Sequence, residues 1–348
     1  MKRVDWREPE APPLVSFRDT KQLLSAVRDA SWIEASELAE LERELARGLT
    51  PVACPHILGT LIGVSPKLLW AMATRPSRYY RSFSIPKRSG GVREIDTPRV
   101  FLKVVQWWIL DRVLIPHAER TLPESVCGFR PGRSTLDAAA PHMGARFLLR
   151  CDVEEFFPSV SWDAVNKVFK GVGYGPAPRR LLSNLTTLHG RLPQGAPTSP
   201  VLANLAFLAC DRRLDRLARN GGLSYSRYAD DLFFSGPSLP SGGFVKRVER
   251  ALATGGFRIN AKKTRVAGPN ERRAVTGFSI TSASGRPQPI RRQRRELRLM
   301  FHRAESQPSA LADQALSLSG WASYVNMYDP VLGAQYREIA ARVRSLTQ

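Results

Sequence analysis

The chain has 348 residues, 43% hydrophobic and 24% charged, a globular balance that excludes wholesale disorder and gives length for two or three lobes. Its charge is unusual: 52 Lys and Arg against 31 Asp and Glu leave a net +21, which calls for a polyanionic partner. The longest apolar stretch, Val201 to Cys210, contains Asn204 and falls far short of the ~20 residues of a spanning helix, so nucleic acid is expected and a membrane is not. Met1 to Glu8 lead into no apolar core, so no secretory signal is expected and the cytoplasm is the expected compartment. Cys54, Cys127, Cys151 and Cys210 lie far apart without zinc-ligand spacing, and the five histidines are scattered, so buried thiols and no metal pair are expected.

In chain order, Ser36 to Gly48 predicts an amphipathic helix. Leu38, Leu41 and Leu45 share one face, Ser36 is placed to cap the start, and Gly48 follows the end. Ser84 to Asp96 predicts a basic hairpin around Ser89-Gly90-Gly91. Phe101 to Ile115 predicts a helix, and Phe147 to Val153 a buried strand presenting Asp152 at its end. Asp163 to Lys170 and Thr198 to Leu217 predict helices, the second with a strong apolar face. Leu223 to Phe234 reads as a hairpin, Phe244 to Ala253 as a helix, and Phe257 to Val266 as strand and turn. After Pro289 the chain is helical and heavily basic, with Leu297 and Leu299 expected toward the core. Ser238 to Gly243 and Ser282 to Pro289 read as loops, the second separating a C-terminal lobe. No internal repeat is present.

Asp230 and Asp231 sit at the turn of a hairpin whose flanks are aromatic and apolar, Tyr225-Ser226-Arg227-Tyr228-Ala229-Asp230-Asp231-Leu232-Phe233-Phe234. Adjacent carboxylates repel, and an apolar setting raises that cost. A bound hard cation with oxygen ligands offsets it, and a third carboxylate such as Asp152 completes a site for phosphoryl transfer by two ions. An Asp-Asp turn by itself is common, so the neighbouring segments decide the reading. Between the acidic segments lies Leu192-Pro193-Gln194-Gly195-Ala196-Pro197, which suits neither a regular helix nor a central strand and reads as a shaped loop.

These segments resemble the ordered motifs of reverse transcriptases. Tyr228-Ala229-Asp230-Asp231 is similar to the family's Tyr-x-Asp-Asp motif, and Asp152 to Phe157 to its first carboxylate motif. Leu192 to Gly195 with Ser199-Pro200, and Gly256 to Thr264, resemble the motifs between and after them. The resemblance runs from about Phe83 to about Pro330, and it is nearest to the bacterial retron group. Cys127 to Ser134 resembles that group's fingers segment, Val275-Thr276-Gly277 its Val-Thr-Gly triplet, and Gly320 to Val325 its thumb segment. One element departs: the group's Asn-Ala-x-x-His falls on Ala138 to His142, where the Asn is missing.

The resemblance implies an α+β right-hand polymerase: fingers over 1–145, a palm with an antiparallel sheet over 146–275, and a helical RNA-binding thumb over 276–348. The palm would carry a fingers insertion around 165–190. It implies catalytic Asp152, Asp230 and Asp231 holding two Mg²⁺ ions together with the backbone of Val153, and dNTP substrates. Lys87, Arg93, Phe157, Gln194 and Lys263 would bind the nucleotide. In that set Phe157 blocks a 2′-hydroxyl and Lys263 serves the leaving pyrophosphate. Tyr228 would pack near the primer terminus, and His142, Val275, Thr276, Gly277, Arg291, Arg292, Arg294 and Arg295 would meet RNA. Nothing is expected after the thumb, so a host ribonuclease H would remove template. The group further implies a cognate structured noncoding RNA as template and primer, its branched DNA product, an accessory effector protein and a role against phage. Two alternatives stand beside this reading: a group II intron-like or CRISPR-associated reverse transcriptase, and a non-catalytic RNA-binding scaffold.

Overall fold

The computed structural model describes residues 20–28, 30, 32–87, 90–238, 243–281 and 285–346. Expectations that rest on Met1 to Glu8, on Ser89, on 239–242 or on 282–284 lie outside the described residues. The elements are α1 (Thr20–Arg28), α2 (Ala35–Ala46), α3 (Pro55–Ile62), α4 (Pro66–Thr74), β1 (Tyr80–Pro86), β2 (Val92–Pro98), α5 (Val100–Ile109), α6 (Ile115–Thr121), α7 (Thr135–Ala139) and β3 (Phe147–Asp152). They continue with α8 (Trp162–Val172), α9 (Pro176–Thr186), α10 (Ser199–Asn220), β4 (Ser224–Tyr228), β5 (Asp231–Gly236), α11 (Phe244–Ala253) and β6 (Arg265–Ala267). The last are β7 (Ala274–Val275), β8 (Phe278–Ser279), β9 (Gln288–Pro289), α12 (Arg291–Ser306), α13 (Ala315–Tyr328) and α14 (Pro330–Ser345). The chain forms two compact units: Met1–Pro123, Glu154–Cys210 and Leu252–Arg258 make the first; Glu124–Val153, Asp211–Ala251 and Ile259–Gln348 make the second. No single helix among the described residues is long and apolar enough to cross a membrane.

In the first unit, α2 starts at Ala35, so Ser36 lies inside it rather than capping it. Glu34 is the cap, and its backbone N–H donates to the Glu37 carboxylate at 3.1 Å in a capping box. The expected apolar face is present: Leu41 is buried with Leu23, Val27, Ala53, Cys54 and Ile57, and Leu38 and Leu45 pack at its margin. The same helix also buries Glu44, whose carboxylate accepts the Val52 N–H at 2.8 Å. The helices α3, α4 and α9, which the apolar pattern did not mark, each carry Pro in the first turn, where its missing N–H costs nothing. β1 and β2 pair antiparallel from Tyr80↔Pro98 to Pro86↔Val92, and Gly90 and Gly91 both take φ +84° at the turn. The helix expected over Phe101 to Ile115 is present: α5 runs through a single π turn at Leu110–Leu114 into α6 with helical backbone throughout. Within it Pro116 cannot donate to the Arg112 carbonyl, and the Thr50 hydroxyl donates there instead at 2.8 Å.

The second unit is built on a four-stranded sheet of order β4-β5-β3-β6, antiparallel throughout. Strand alternation sorts its side chains into two faces. Tyr225, Arg227, Leu232 and Phe234 share one face, where Tyr225 stacks on Phe234 and Phe244 of α11 meets Phe234 edge-on at 5.2 Å. Ser226, Tyr228, Asp231, Phe233 and Ser235, with Leu148, Arg150 and Asp152 of β3, share the other. There Leu148 and Phe233 join Ala138, Ala139, Val275, Phe278 and Ile280 in one core. β7, β8 and β9 form a second, three-stranded sheet, and α12, α13 and α14 pack around Leu297, Phe301, Leu318, Ala322, Val325 and Tyr336. Leu299 faces solvent, against expectation, because two residues on a helix turn it about 200° away from Leu297.

Candidate active site

The apolar run Phe147-Leu148-Leu149-Arg150-Cys151-Asp152 forms the central strand β3 and ends on Asp152, which lies directly opposite Asp231 of β5. The two carboxylate-bearing residues therefore point to the same face of the sheet. Asp230 occupies the turn between β4 and β5, and its carbonyl accepts the Val153 N–H at 2.8 Å. Asp152, Val153, Asp230 and Asp231 are thus gathered at one end of three adjacent strands. The turn needs a left-handed residue, and Ala229 supplies it with φ +58°.

Asp152 is buried and Asp231 largely so, and each already holds a cation. Arg150 Nε and Nη2 donate to the two Asp231 carboxylate oxygens at 3.0 and 3.1 Å, and Lys263 Nζ donates to Asp152 at 2.8 Å. Burial pushes the Asp231 carboxyl above its usual range; Arg150 pulls it back, and the charges of Asp230 and Asp152 push it up again. Three carboxylate-bearing residues gathered at one end of the sheet, two of them already paired with positive side chains, fit a hard divalent cation. A metal arriving here would take over oxygens now held by Arg150 and Lys263.

The other expected nucleotide residues lie in the first unit. Phe157 is half-buried and meets Phe156 at 5.6 Å between ring centroids; Phe156 in turn packs on Phe207 and Phe257. Gln194 precedes Gly195 (φ +126°), and its carbonyl accepts the Asp96 N–H of β2 at 2.8 Å. A Cβ at Gly195 would sit 2.9 Å from Ile95, so the loop needs glycine to lie against the hairpin. Lys87 and Arg93 are exposed on that same hairpin.

The expected RNA residues divide. Arg291, Arg292, Arg294 and Arg295 are exposed along the first turns of α12. The Ile290 N–H donates to the Gly277 carbonyl, which brings the Thr276-Gly277 turn beside them. Thr276 and Gly277 have φ +49° and +89°, as a two-residue hairpin turn requires, and the Thr276 hydroxyl donates to the Thr135 carbonyl at 2.8 Å. Two of the expected RNA residues are buried. The Val275 side chain is fully buried in the core with Phe278 and Ile280. His142 is fully buried too; its ring nitrogens bond the Ser235 and Ser226 hydroxyls, both at 2.7 Å, and burial lowers its pKa to about 4. It braces β4 to β5. Tyr228 is half-buried against the same core.

The sequence patterns did not mark Arg150, Arg227 and Asp211. Strand alternation alone would have put Arg150 on the face of Asp152, whereas the partners of Arg227 come from α10 and need the fold. Nor did they mark Glu37, Cys54 and His56 in the first unit, whose donor atoms lie within 4.8 Å of one another. Burial pushes the Cys54 thiol up to about 11, away from the thiolate that binds metal.

The reverse transcriptase (RNA-dependent DNA polymerase) family matches residues 85–280. The chain is 36% identical over 342 residues to the Retron Mx65 reverse transcriptase of Myxococcus xanthus, covering 90% of this chain and 77% of that one. It is 34% identical over 334 residues to the Retron Mx162 reverse transcriptase of the same organism, covering 85% and 68%. To the Retron Ec86 reverse transcriptase of Escherichia coli it is 35% identical over 260 residues, covering 72% and 77%. The chain belongs to the reverse transcriptase family, among its retron members, as an RNA-directed DNA polymerase, a family that generally uses divalent metal ions and deoxynucleoside triphosphates.

Proposed function

We propose that the chain copies part of a cognate structured noncoding RNA into single-stranded DNA that stays joined to the RNA through a branch. Priming comes from a 2′-hydroxyl of that RNA, and the branched product serves defence against phage in the cytoplasm, with an accessory effector protein and a host ribonuclease H that trims the template. The observation that carries the polymerase site is the pairing of Asp152 with Asp231 across β3 and β5, with Asp230 tied through its carbonyl to Val153. Asp152, Asp230 and Asp231, with the Val153 backbone, would hold two Mg²⁺ ions, which supply charge neutralisation of the attacking and leaving oxygens.

The remaining roles belong to the chain's own groups. Phe157 lies under the sugar and leaves no room for a 2′-hydroxyl. Gln194 lines the sugar pocket. Arg93 and Lys87 neutralise the triphosphate, Arg93 with a planar fork suited to phosphate oxygens. Lys263 protonates the departing pyrophosphate, and Tyr228 supports the primer end. Arg291, Arg292, Arg294 and Arg295 grip the RNA backbone by charge, with Thr276 and Gly277 beside them. In this reading 1–145 serve as fingers, 146–275 as palm with the insertion around 165–190, and 276–348 as thumb.

The test is expression of the chain with its upstream flanking DNA, followed by ribonuclease and debranching treatment of the small nucleic acids. A discrete DNA band that shifts on debranching and vanishes with Asp230→Asn is expected, with RNA binding retained by the variant. Synthesis undiminished by Asp230→Asn would remove the metal-site assignment. Activity on a generic primed RNA without any branched product would remove the retron product.

A further inference from the structure

We propose that the buried Arg227–Asp211 ion pair, together with Gly128, is a positioning device that sets the Asp230-Asp231 turn for metal binding. It rests on the metal-site reading above. Arg227 is fully buried, the largest side chain so enclosed among the described residues, and Asp211 of α10 is fully buried with it. Arg227 Nε and Nη2 donate to the two Asp211 oxygens at 2.8 and 2.7 Å, and the Tyr225 hydroxyl donates to the first of these at 2.8 Å. The remaining guanidinium nitrogen, Nη1, donates to the Ala229 carbonyl at 3.0 Å. That carbonyl belongs to the peptide leading into Asp230, from the one residue of the turn with positive φ.

The turn is also held from outside the ion pair. The Arg227 N–H donates to the Ser125 carbonyl at 2.7 Å, and the Cys127 N–H donates to the Arg227 carbonyl at 2.9 Å. This pairing lays Gly128 against the turn so closely that a Cβ there would stand 2.3 Å from the Ala229 nitrogen. The Cys127-Gly128-Phe129-Arg130 segment thereby gains a physical reason for its glycine. On the far side, the Asp230 carbonyl is fixed by the Val153 N–H. The two carboxylates thus leave from a peptide clamped by Arg227, by Gly128 and by β3.

An ion pair this deep is costly to desolvate, and apolar side chains of similar volume fill such a place at least as well. What they lack is an N–H for the Ala229 carbonyl. A lysine lacks the planar fork that bonds a carboxylate and a carbonyl at once. The clamp's hydrogen bonds go to Asp211 and to the Ala229 carbonyl, so it acts through the turn, as partners behind metal ligands do.

The test uses the full chain in four forms: Arg227→Lys, the double variant Arg227→Met with Asp211→Leu, Gly128→Ala, and Asp230→Asn as reference. The readouts are the thermal transition, binding of Mn²⁺ alone by electron paramagnetic resonance of the free ion, and the Mg²⁺ concentration for half-maximal primer extension. The double variant is expected to keep a cooperative transition near the wild-type temperature. Its Mn²⁺ affinity should fall about 10–100-fold and its Mg²⁺ requirement rise in step, while KM for primed RNA holds. Arg227→Lys and Gly128→Ala should shift the metal dependence the same way. Any folded member of these three with wild-type Mn²⁺ affinity and Mg²⁺ requirement overturns the proposal. So does failure of all three to fold, which would make the clamp a stability element. Loss of metal binding by Asp230→Asn with the other variants unchanged removes the positioning role alone, whereas wild-type metal binding by Asp230→Asn removes the metal site itself.

Discussion

The sugar-facing role proposed for Phe157 rests on how its ring is packed. Its ring is wedged by Phe156, which is locked in turn by Phe207 and Phe257 at 5.7 and 6.0 Å. In the proposed role, a ring held on such a shelf would not swing away from an extra oxygen. Phe157→Ala is therefore expected to weaken discrimination against ribonucleotides by roughly tenfold or more in kcat/KM ratio, with dNTP incorporation retained. Competing rNTP and dNTP extension on primed RNA measures it, and an unchanged ratio would assign Phe157 to packing alone. Arg150 and Lys263 show the converse, groups whose present partners are the carboxylates that a metal would claim.

At the scale of elements, α12 and the β7–β8 hairpin act together. The hairpin turn is fixed by the Thr276 hydroxyl on α7 and by the Ile290 N–H at the start of α12. Four arginines at Arg291, Arg292, Arg294 and Arg295 face solvent from that start. Replacing the four by Ala is expected to lower RNA affinity and to flatten its salt dependence, by about 0.7 to 0.9 in the log–log slope for each phosphate no longer neutralised. Binding isotherms across a salt series decide it; a parallel weakening with the slope unchanged would place the phosphate-binding groups elsewhere. The brace between β4 and β5 is a second element-scale device. His142 joins Ser226 and Ser235 from beneath, so its neutral form is part of the strand pairing.

For the molecule as a whole, two buried titratable groups shape stability against pH in opposite senses, one in each compact unit. Burial raises the Glu44 pKa from 4.5 to about 8, so the folded chain keeps a proton that the unfolded chain has lost, and stability falls as pH rises across that window. Burial lowers the His142 pKa from 6.5 to about 4, so the unfolded chain takes up a proton first, and stability is full above 6.5 and falls as pH drops toward 4. Glu44→Gln is expected to raise Tm at pH 8 more than at pH 5, and His142→Gln to flatten the acid limb while lowering Tm at neutral pH. At this size each kcal/mol moves Tm by roughly 1–2 °C. Calorimetry from pH 4 to pH 8 reads both, and identical pH profiles in variant and parent would remove the linkage.

The amino-acid sequence by itself determined the strands and turns that carry the chemistry. Apolar runs ending in Asp152 and flanking Asp230-Asp231, the Gly90-Gly91 turn and the leucine face of α2 are local patterns, and local sterics and burial suffice to place them. Ordered motifs likewise identified the polymerase. Which polar side chains are buried, and with whom, depends on segments distant in the chain coming together. Glu44, Arg227 and Asp211 carry no local pattern that marks them for burial, and His142 was expected to meet RNA, yet all four are buried. Each is tolerated inside because a partner remote in the chain meets it: Val52 and the Ser226 and Ser235 hydroxyls for the first two, and each other for the last. A one-dimensional pattern records hydrophobicity at fixed spacing. It does not record the desolvated hydrogen bonds and ion pairs that form once α10 and the sheet close on one another.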